Sequence, residues 1–161
     1  MGSLSIAVTA ATGEGPTSLA AFDSALRSAG VANFNLVRLS SVIPPKSVIS
    51  ARHPTDLPAI HGEWGDRLFA VWAFESAERL GQEAWAGVAW AQDPHDGRGL
   101  FVEHEGSSEA QVRDELAATL SEICDARGLG HLEQNSVVVG CRCEGAPVGA
   151  LVIAPFQSTG W

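Results

Sequence analysis

The chain is poor in cysteine and in positive charge. Its 161 residues hold three cysteines, and 10 lysines and arginines stand against 19 aspartates and glutamates, for a formal net charge of −9. Three thiols are too few, and odd in number, for a disulfide framework. Cys141 and Cys143 stand two apart on a predicted strand, so both point to one face. Buried reduced thiols are therefore expected there, and with Cys124, ahead of a C-x-C metal or redox site. Scarce cations argue against nucleic acid as a partner, because phosphate binding needs clustered Lys and Arg. The tryptophans, Trp161 included, have no basic residues interleaved with them, which removes the usual single-strand platform. The histidines at 53, 61, 95, 104 and 131 lack metal-ligand spacing, so no metal is expected. Gly13-Glu14-Gly15 is a lone G-x-G without the rest of a nucleotide-binding signature. No charged segment with an apolar core opens the chain, and no apolar run reaches membrane length. A cytoplasmic protein with no membrane partner is the expectation.

What is present suits one soluble domain spanning residues 1–161. Hydrophobic content of 45% and charged content of 18% sit near globular averages. The length is that of one domain and suffices for a core without staples. Leu4 to Val8 alternates as a first strand, and Ala10 to Pro16, with two glycines and a proline, reads as a loop. Thr17 or Ser18 caps a helix to about Ala29, with Leu19, Phe22, Ala25 or Leu26 and Ala29 at helical spacing and Gly30 beyond its end. Phe34 to Leu39 is a strand that Pro44-Pro45 stops from continuing as a central one. Leu68 to Phe74, Ala84 to Ala91 and Leu100 to Glu103 are further strands, with a turn at Asp93 to Gly97. Ser107-Ser108-Glu109 opens a second helix to about Ala126, with Leu116, Leu120, Ile123 and Cys124 facing inward and Arg127-Gly128 stopping it. Ser136 to Cys143 and Val148 to Ile153 are predicted to form a hairpin through Glu144 to Pro147. Two helices among these strands predict an α/β chain of α+β type, with helices outside antiparallel or mixed sheets.

The stretch that carries chemistry is Asn33-Phe34-Asn35-Leu36-Val37-Arg38-Leu39-Ser40-Ser41-Val42-Ile43-Pro44-Pro45. A strand ends in two serines before a rigid double proline. If the Ser40–Ser41 peptide is bent, the Ser41 hydroxyl can attack the Ser40 carbonyl and move the acyl group from nitrogen to oxygen. β-Elimination and hydrolysis then leave a pyruvoyl group on a new amino terminus.

Other segments fall around that stretch in a recognisable order. They are Thr12-Gly13-Glu14-Gly15, Leu19-Ala20-Ala21-Phe22-Asp23-Ser24-Ala25-Leu26, Ala29-Gly30, Gly99-Leu100-Phe101-Val102-Glu103 and Gly140-Cys141-Arg142-Cys143. Together they resemble the pyruvoyl-dependent arginine decarboxylases, over most of the chain outside Lys46 to Trp90. Ala32 stands where that family more often has glycine. The resemblance implies an αββα sandwich assembling as a trimer or a dimer of trimers, self-cleaved into residues 1–40 and 41–161. It implies conversion of L-arginine to agmatine and carbon dioxide through a Schiff base on a pyruvoyl cofactor derived from Ser41. Ser41, Glu103 and Asn35 are then the catalytic residues, with Asp23, Ser40 and Ile43 touching substrate. Glu103 is assigned to reprotonating the substrate carbon, so a glutamine there is expected to spare cleavage. Glu105 lies on the same face of its strand and, as a neighbouring carboxylate, would raise a partner's pKa; a strand emerging into solvent is the reading preferred for it. Asp23, beside Leu19 and Leu26, is expected to be drawn toward the buried side and to pair the substrate guanidinium. The Asn35 amide would polarise the Ser40 carbonyl or hold the turn, or simply bond nearby backbone. Two alternatives stand beside this: a pyruvoyl decarboxylase for another amino acid, and an uncleaved, non-catalytic oligomeric homologue with a binding or regulatory role.

Overall fold

The computed structural model describes residues 4–52 and 60–157; His53 and Trp161 lie outside the described residues. Strand β1 spans Leu4–Glu14 and is followed by helix α1, Ser18–Ser28. Strands β2 (Asn35–Arg38), β3 (Val42–Ile43), β4 (Ser47–Arg52), β5 (Arg67–Ala77), β6 (Glu83–Gln92) and β7 (Gly99–Gly106) come next. Helix α2 (Glu109–Ala126) and strands β8 (Gln134–Arg142) and β9 (Val148–Gln157) complete the order.

Two sheets pack face to face. The five-stranded sheet runs β2-β5-β9-β1-β4, and the four-stranded sheet runs β3-β7-β6-β8. The first is mixed, since β2 pairs with β5 and β1 with β4 in parallel while the other ladders are antiparallel. The second is antiparallel throughout. Between them lies a core of Ile6 and Val8 from β1, Val71 from β5, Val152 and Phe156 from β9, Val88 and Trp90 from β6, and Phe101 from β7. Helix α1 covers the outer face of the five-stranded sheet through Ala25 against Ala11, Leu151 and Ile153. Helix α2 covers the other sheet through Val112, Leu116, Leu120 and Cys124 against Ala89, Leu100 and Val102. The layers are therefore αββα. Nine residues of β9, Val148 to Phe156, are all buried, because that strand is central in its sheet and covered on both faces.

Both helices start where a hydroxyl satisfies an orphan backbone donor. Thr17 Oγ1 accepts from Ala20 N–H at 3.1 Å, and Ser108 Oγ from Gln111 N–H at 3.2 Å. Gly30 (φ 76°) and Gly128 (φ 71°) follow the two helix ends in the left-handed region.

The sequence reading needs two corrections. Residues 10–14 are not a loop: β1 continues to Glu14, pairing Ala10 with Val152 and Glu14 with Val148. The glycines there serve close packing. A Cβ on Gly13 would lie 2.3 Å from the Ala21 carbonyl oxygen and 2.4 Å from the Ala25 nitrogen, so only glycine lets α1 rest on the strand. The second correction concerns the predicted hairpin. β8 pairs with β6 in one sheet and β9 with β1 and β5 in the other, so residues 143–147 cross between sheets. The apolar face of each strand finds a different partner layer, which a turn-like connector alone does not reveal.

Candidate active site

The serine pair sits in another crossing between the sheets, the one from β2 to β3. β2 is an edge strand of the five-stranded sheet and β3 an edge strand of the four-stranded one, so residues 39–41 bridge the two. Pro44 and Pro45 follow at once and limit β3 to two residues. Ser40 is exposed, whereas Ser41 is buried at 8% exposure. Ser41 has φ 77°, a left-handed conformation that costs a non-glycine residue about 1–2 kcal/mol. It is clamped there from β7, since Phe101 N–H donates to the Ser41 carbonyl at 2.8 Å.

The hydroxyl of Ser41 donates to the Glu103 carboxylate, with Oγ 3.1 Å from Oε1 and 3.0 Å from Oε2. Alternation along β7 explains the encounter: Phe101 points between the sheets and Glu103, two residues on, follows it toward their shared edge. Burial raises the pKa of Glu103, opposed by the Ser41 hydrogen bond, Arg38 and His104 in that order, while Glu105 adds a small upward push. Burial, and not the neighbouring carboxylate, is the main cause; Glu105 itself is exposed. His104 faces away toward α2, where Nε2 lies 2.8 Å from Thr119 Oγ1 and Nδ1 3.4 Å from Glu115.

The other expected residues are arranged differently. Asn35 donates from Nδ2 to the Gly65 carbonyl at 2.8 Å, the backbone-bonding role, and so ties β2 to the loop before β5. Asp23 is exposed, contrary to the expected burial, and pairs with Arg27 one helical turn on, at 2.9 Å. With Leu19 itself 76% exposed, that side of α1 has no apolar cover to draw the carboxylate inward. Ile43 is fully buried in the inter-sheet core, and it lines a cavity of about 360 Å³ with Pro44, Pro45 and Leu100. The charged groups at that cavity are Arg98 and Arg127, which suit an anion better than a cationic side chain. Cys141 and Cys143 do share one face, both packing into the same alanine-rich cluster. Burial pushes the Cys141 thiol up to about 11, so it is protonated and unreactive at neutral pH.

One participant was missed in the sequence. Arg38, the last residue of β2, lays its guanidinium over the Trp72 ring, 4.1 Å from its centroid, and reaches Glu103 with Nη1 3.9 Å from Oε1. The available signal was a cation three residues before Ser41 in a chain short of cations.

Ser41 also fits what a pyruvoyl group would need. Its hydroxyl already has a base, and its carbonyl, which the conversion retains, already has the Phe101 N–H donor. The sequence profile of the family described as pyruvoyl-dependent arginine decarboxylase (PvlArgDC) matches residues 5–145. A pyruvoyl-dependent arginine decarboxylase of Halobacterium salinarum is 35% identical over 148 residues, covering 90% of this chain and 89% of its own. One from Methanothermobacter thermautotrophicus is 32% identical over 154 residues, covering 92% and 95%. A solved structure of pyruvoyl-dependent histidine decarboxylase aligns over 63% of this chain and 53% of its own, with TM-score 0.43 and 18% identity, a likeness too low to carry argument.

Proposed function

The chain belongs to the pyruvoyl-dependent arginine decarboxylase family, and from that premise we propose that it cuts itself between Ser40 and Ser41 and converts L-arginine to agmatine. Membership makes it a carboxy-lyase with a covalent pyruvoyl group. Such a group supplies the electron sink that amino acid decarboxylation requires.

The observation that carries the reading is the Ser41 hydroxyl resting on both oxygens of Glu103. Glu103 accepts the Ser41 proton while Oγ attacks the Ser40 carbonyl carbon. The Ser41 nitrogen takes up a proton as the peptide C–N bond breaks, leaving an ester to Ser41 Oγ. Loss of the Ser41 Cα proton then breaks the Cβ–Oγ bond and releases residues 1–40 with a carboxylate on Ser40. Water replaces the nitrogen, which departs as ammonia, and residues 41–161 begin with pyruvoyl. During turnover Glu103 is the proton donor within reach of the same point, and a carboxyl whose pKa is raised by burial holds a proton more readily than an exposed one.

Asp23 is the proposed partner of the substrate guanidinium, which must displace Arg27 from it. Asn35 is proposed to hold β2 and the approach to Ser40 in place through Gly65. Ser40 and Ile43 are proposed to border the substrate. The assembly is proposed to be a trimer or a dimer of trimers of single-domain subunits acting in the cytoplasm; among the described residues no helix is long and apolar enough to cross a membrane. One observation favours a second reading, a decarboxylase for another amino acid: Asp23 is exposed and bonded to Arg27, not gathered with Ser41 and Glu103.

Intact mass under denaturing conditions tests the cleavage, and carbon dioxide release from a panel of amino acids tests the substrate. Two chains and release from arginine are expected. A persistent single chain would overturn the reading in favour of a non-catalytic homologue, and release from another amino acid would select the second reading.

A further inference from the structure

Arg38 has no part in the chemistry described so far, yet among the described residues it is the only group from the five-stranded sheet that acts on the charge of Glu103. Among those residues four groups do so: the Ser41 hydroxyl, the Arg38 guanidinium, the His104 imidazole and the Glu105 carboxylate. Of these, Arg38 alone carries a fixed positive charge. His104 is engaged on the α2 side by Thr119 and Glu115. Glu105 is exposed and repels. We infer that Arg38, held over the Trp72 ring, is a positioning residue for Glu103: it steadies the carboxylate against the Ser41 hydroxyl and keeps it charged while that hydroxyl gives up its proton.

The argument is one of restraint and charge. An exposed arginine facing a carboxylate at 3.9 Å ordinarily contributes little, because a long mobile side chain gives up its gain in rotamer freedom. Here Trp72 takes away that freedom. The guanidinium stacks on the indole face, and β5 holds the ring in the ladder between β2 and β9. The carboxylate it faces is also more enclosed than the guanidinium, with side-chain exposure of 20% against 50%. Burial works against ionisation of Glu103, and a carboxylate must be ionised to accept a proton. Without Arg38 the base would be charged in a smaller fraction of molecules at a given pH. Arg38 also ends the strand that leads directly into the serine pair, so backbone and side chain fix the same neighbourhood.

The inference rests on the self-cleavage proposed above, and the experiment separates the two. Wild type, Arg38→Met and Arg38→Lys are made by cell-free translation, and appearance of the 41–161 chain is followed by intact mass from acid to alkaline pH. Arg38→Met should move the rate–pH curve upward by about 0.5–1 pH unit. Its rate should recover on the alkaline side, and Arg38→Lys should restore most of the wild-type curve. An equal fall at all pH values, or an unmoved curve, overturns the inference. A second measurement decides it even if wild type is never cleaved and the self-cleavage reading fails. Carbon-13 titration of the Glu103 carboxyl in full-length Ser41→Ala should show a higher pKa when Arg38→Met is added, and identical titrations would overturn the inference.

Discussion

Ser41 combines a nucleophile with a backbone conformation that suits glycine. That combination separates two substitutions that are equivalent for cleavage. Ser41→Ala and Ser41→Gly both remove the hydroxyl, so both should remain single chains by intact mass. Alanine keeps the left-handed strain at φ 77°, and glycine relieves it. Setting about 1–2 kcal/mol of strain against the larger unfolded entropy of glycine, Ser41→Gly should be more stable by about 1 kcal/mol in chemical denaturation. If Ser41→Ala were instead the more stable of the two, by about 0.4–1 kcal/mol, Ser41 would not be strained. At Glu103 the structure changes an expectation. A carboxylate touching the Ser41 hydroxyl has work to do before any substrate arrives, so Glu103→Gln should slow cleavage by about 10²–10⁴-fold rather than spare it. The same residue leaves a mark on stability. Its folded pKa lies above the unfolded one, so the fold favours the protonated form. That contribution is whole below the ordinary carboxylate pKa and is lost as pH rises through the raised value. In the uncut Ser41→Ala background, the protein that keeps Glu103 should therefore lose stability, relative to the one carrying Glu103→Gln, as pH climbs through that window, measured by denaturant melts at acid and neutral pH.

Among the elements, contact between β1 and α1 gives the sharpest test. Gly13→Ala would place a methyl group on the helix backbone at Ala21 and Ala25, so α1 must shift away from the sheet. A loss of about 1–3 kcal/mol in denaturant unfolding is expected, and an unchanged midpoint would show that the helix is free to slide. The helices were legible because their signals are local: Thr17 and Ser108 cap them, and Gly30 and Gly128 follow them. Strand extents near Leu68, Ala84 and Leu100 were legible for the same reason. Pairing was not. The parallel union of β1 with β4, and the separation of β8 from β9 into different sheets, depend on contacts that short-range patterns do not encode. The site divides in the same way. Ser41 and Glu103 could be picked out by motif, but the Arg38–Trp72–Glu103 contact joins three strands and has no sequence signature. Asp23 was misplaced because an apolar neighbour at helical spacing was taken for a buried face, and Leu19 is in fact open to solvent.

At the scale of the whole molecule, a cut at Ser40–Ser41 would not divide the body. Residues 1–40 contain β1, which lies between β9 and β4, and β2, which pairs with β5. Ile6 and Val8 on β1 are fully buried in the common core. Both pieces should therefore travel as one species in native gel filtration and separate only in denaturant; native dissociation would contradict the central placement of β1. Because an interior strand belongs to the detachable piece, covalent continuity would be used once, to thread β1 between its neighbours, and then given up. An uncut chain folds its own body in a first-order step at any dilution, whatever the later meeting of subunits. A matured sample would have to find its missing strand by collision, so its recovery from denaturant should fall as the protein is diluted. Maturation would then be a one-way passage, after which the molecule can keep its shape but cannot readily regain it alone.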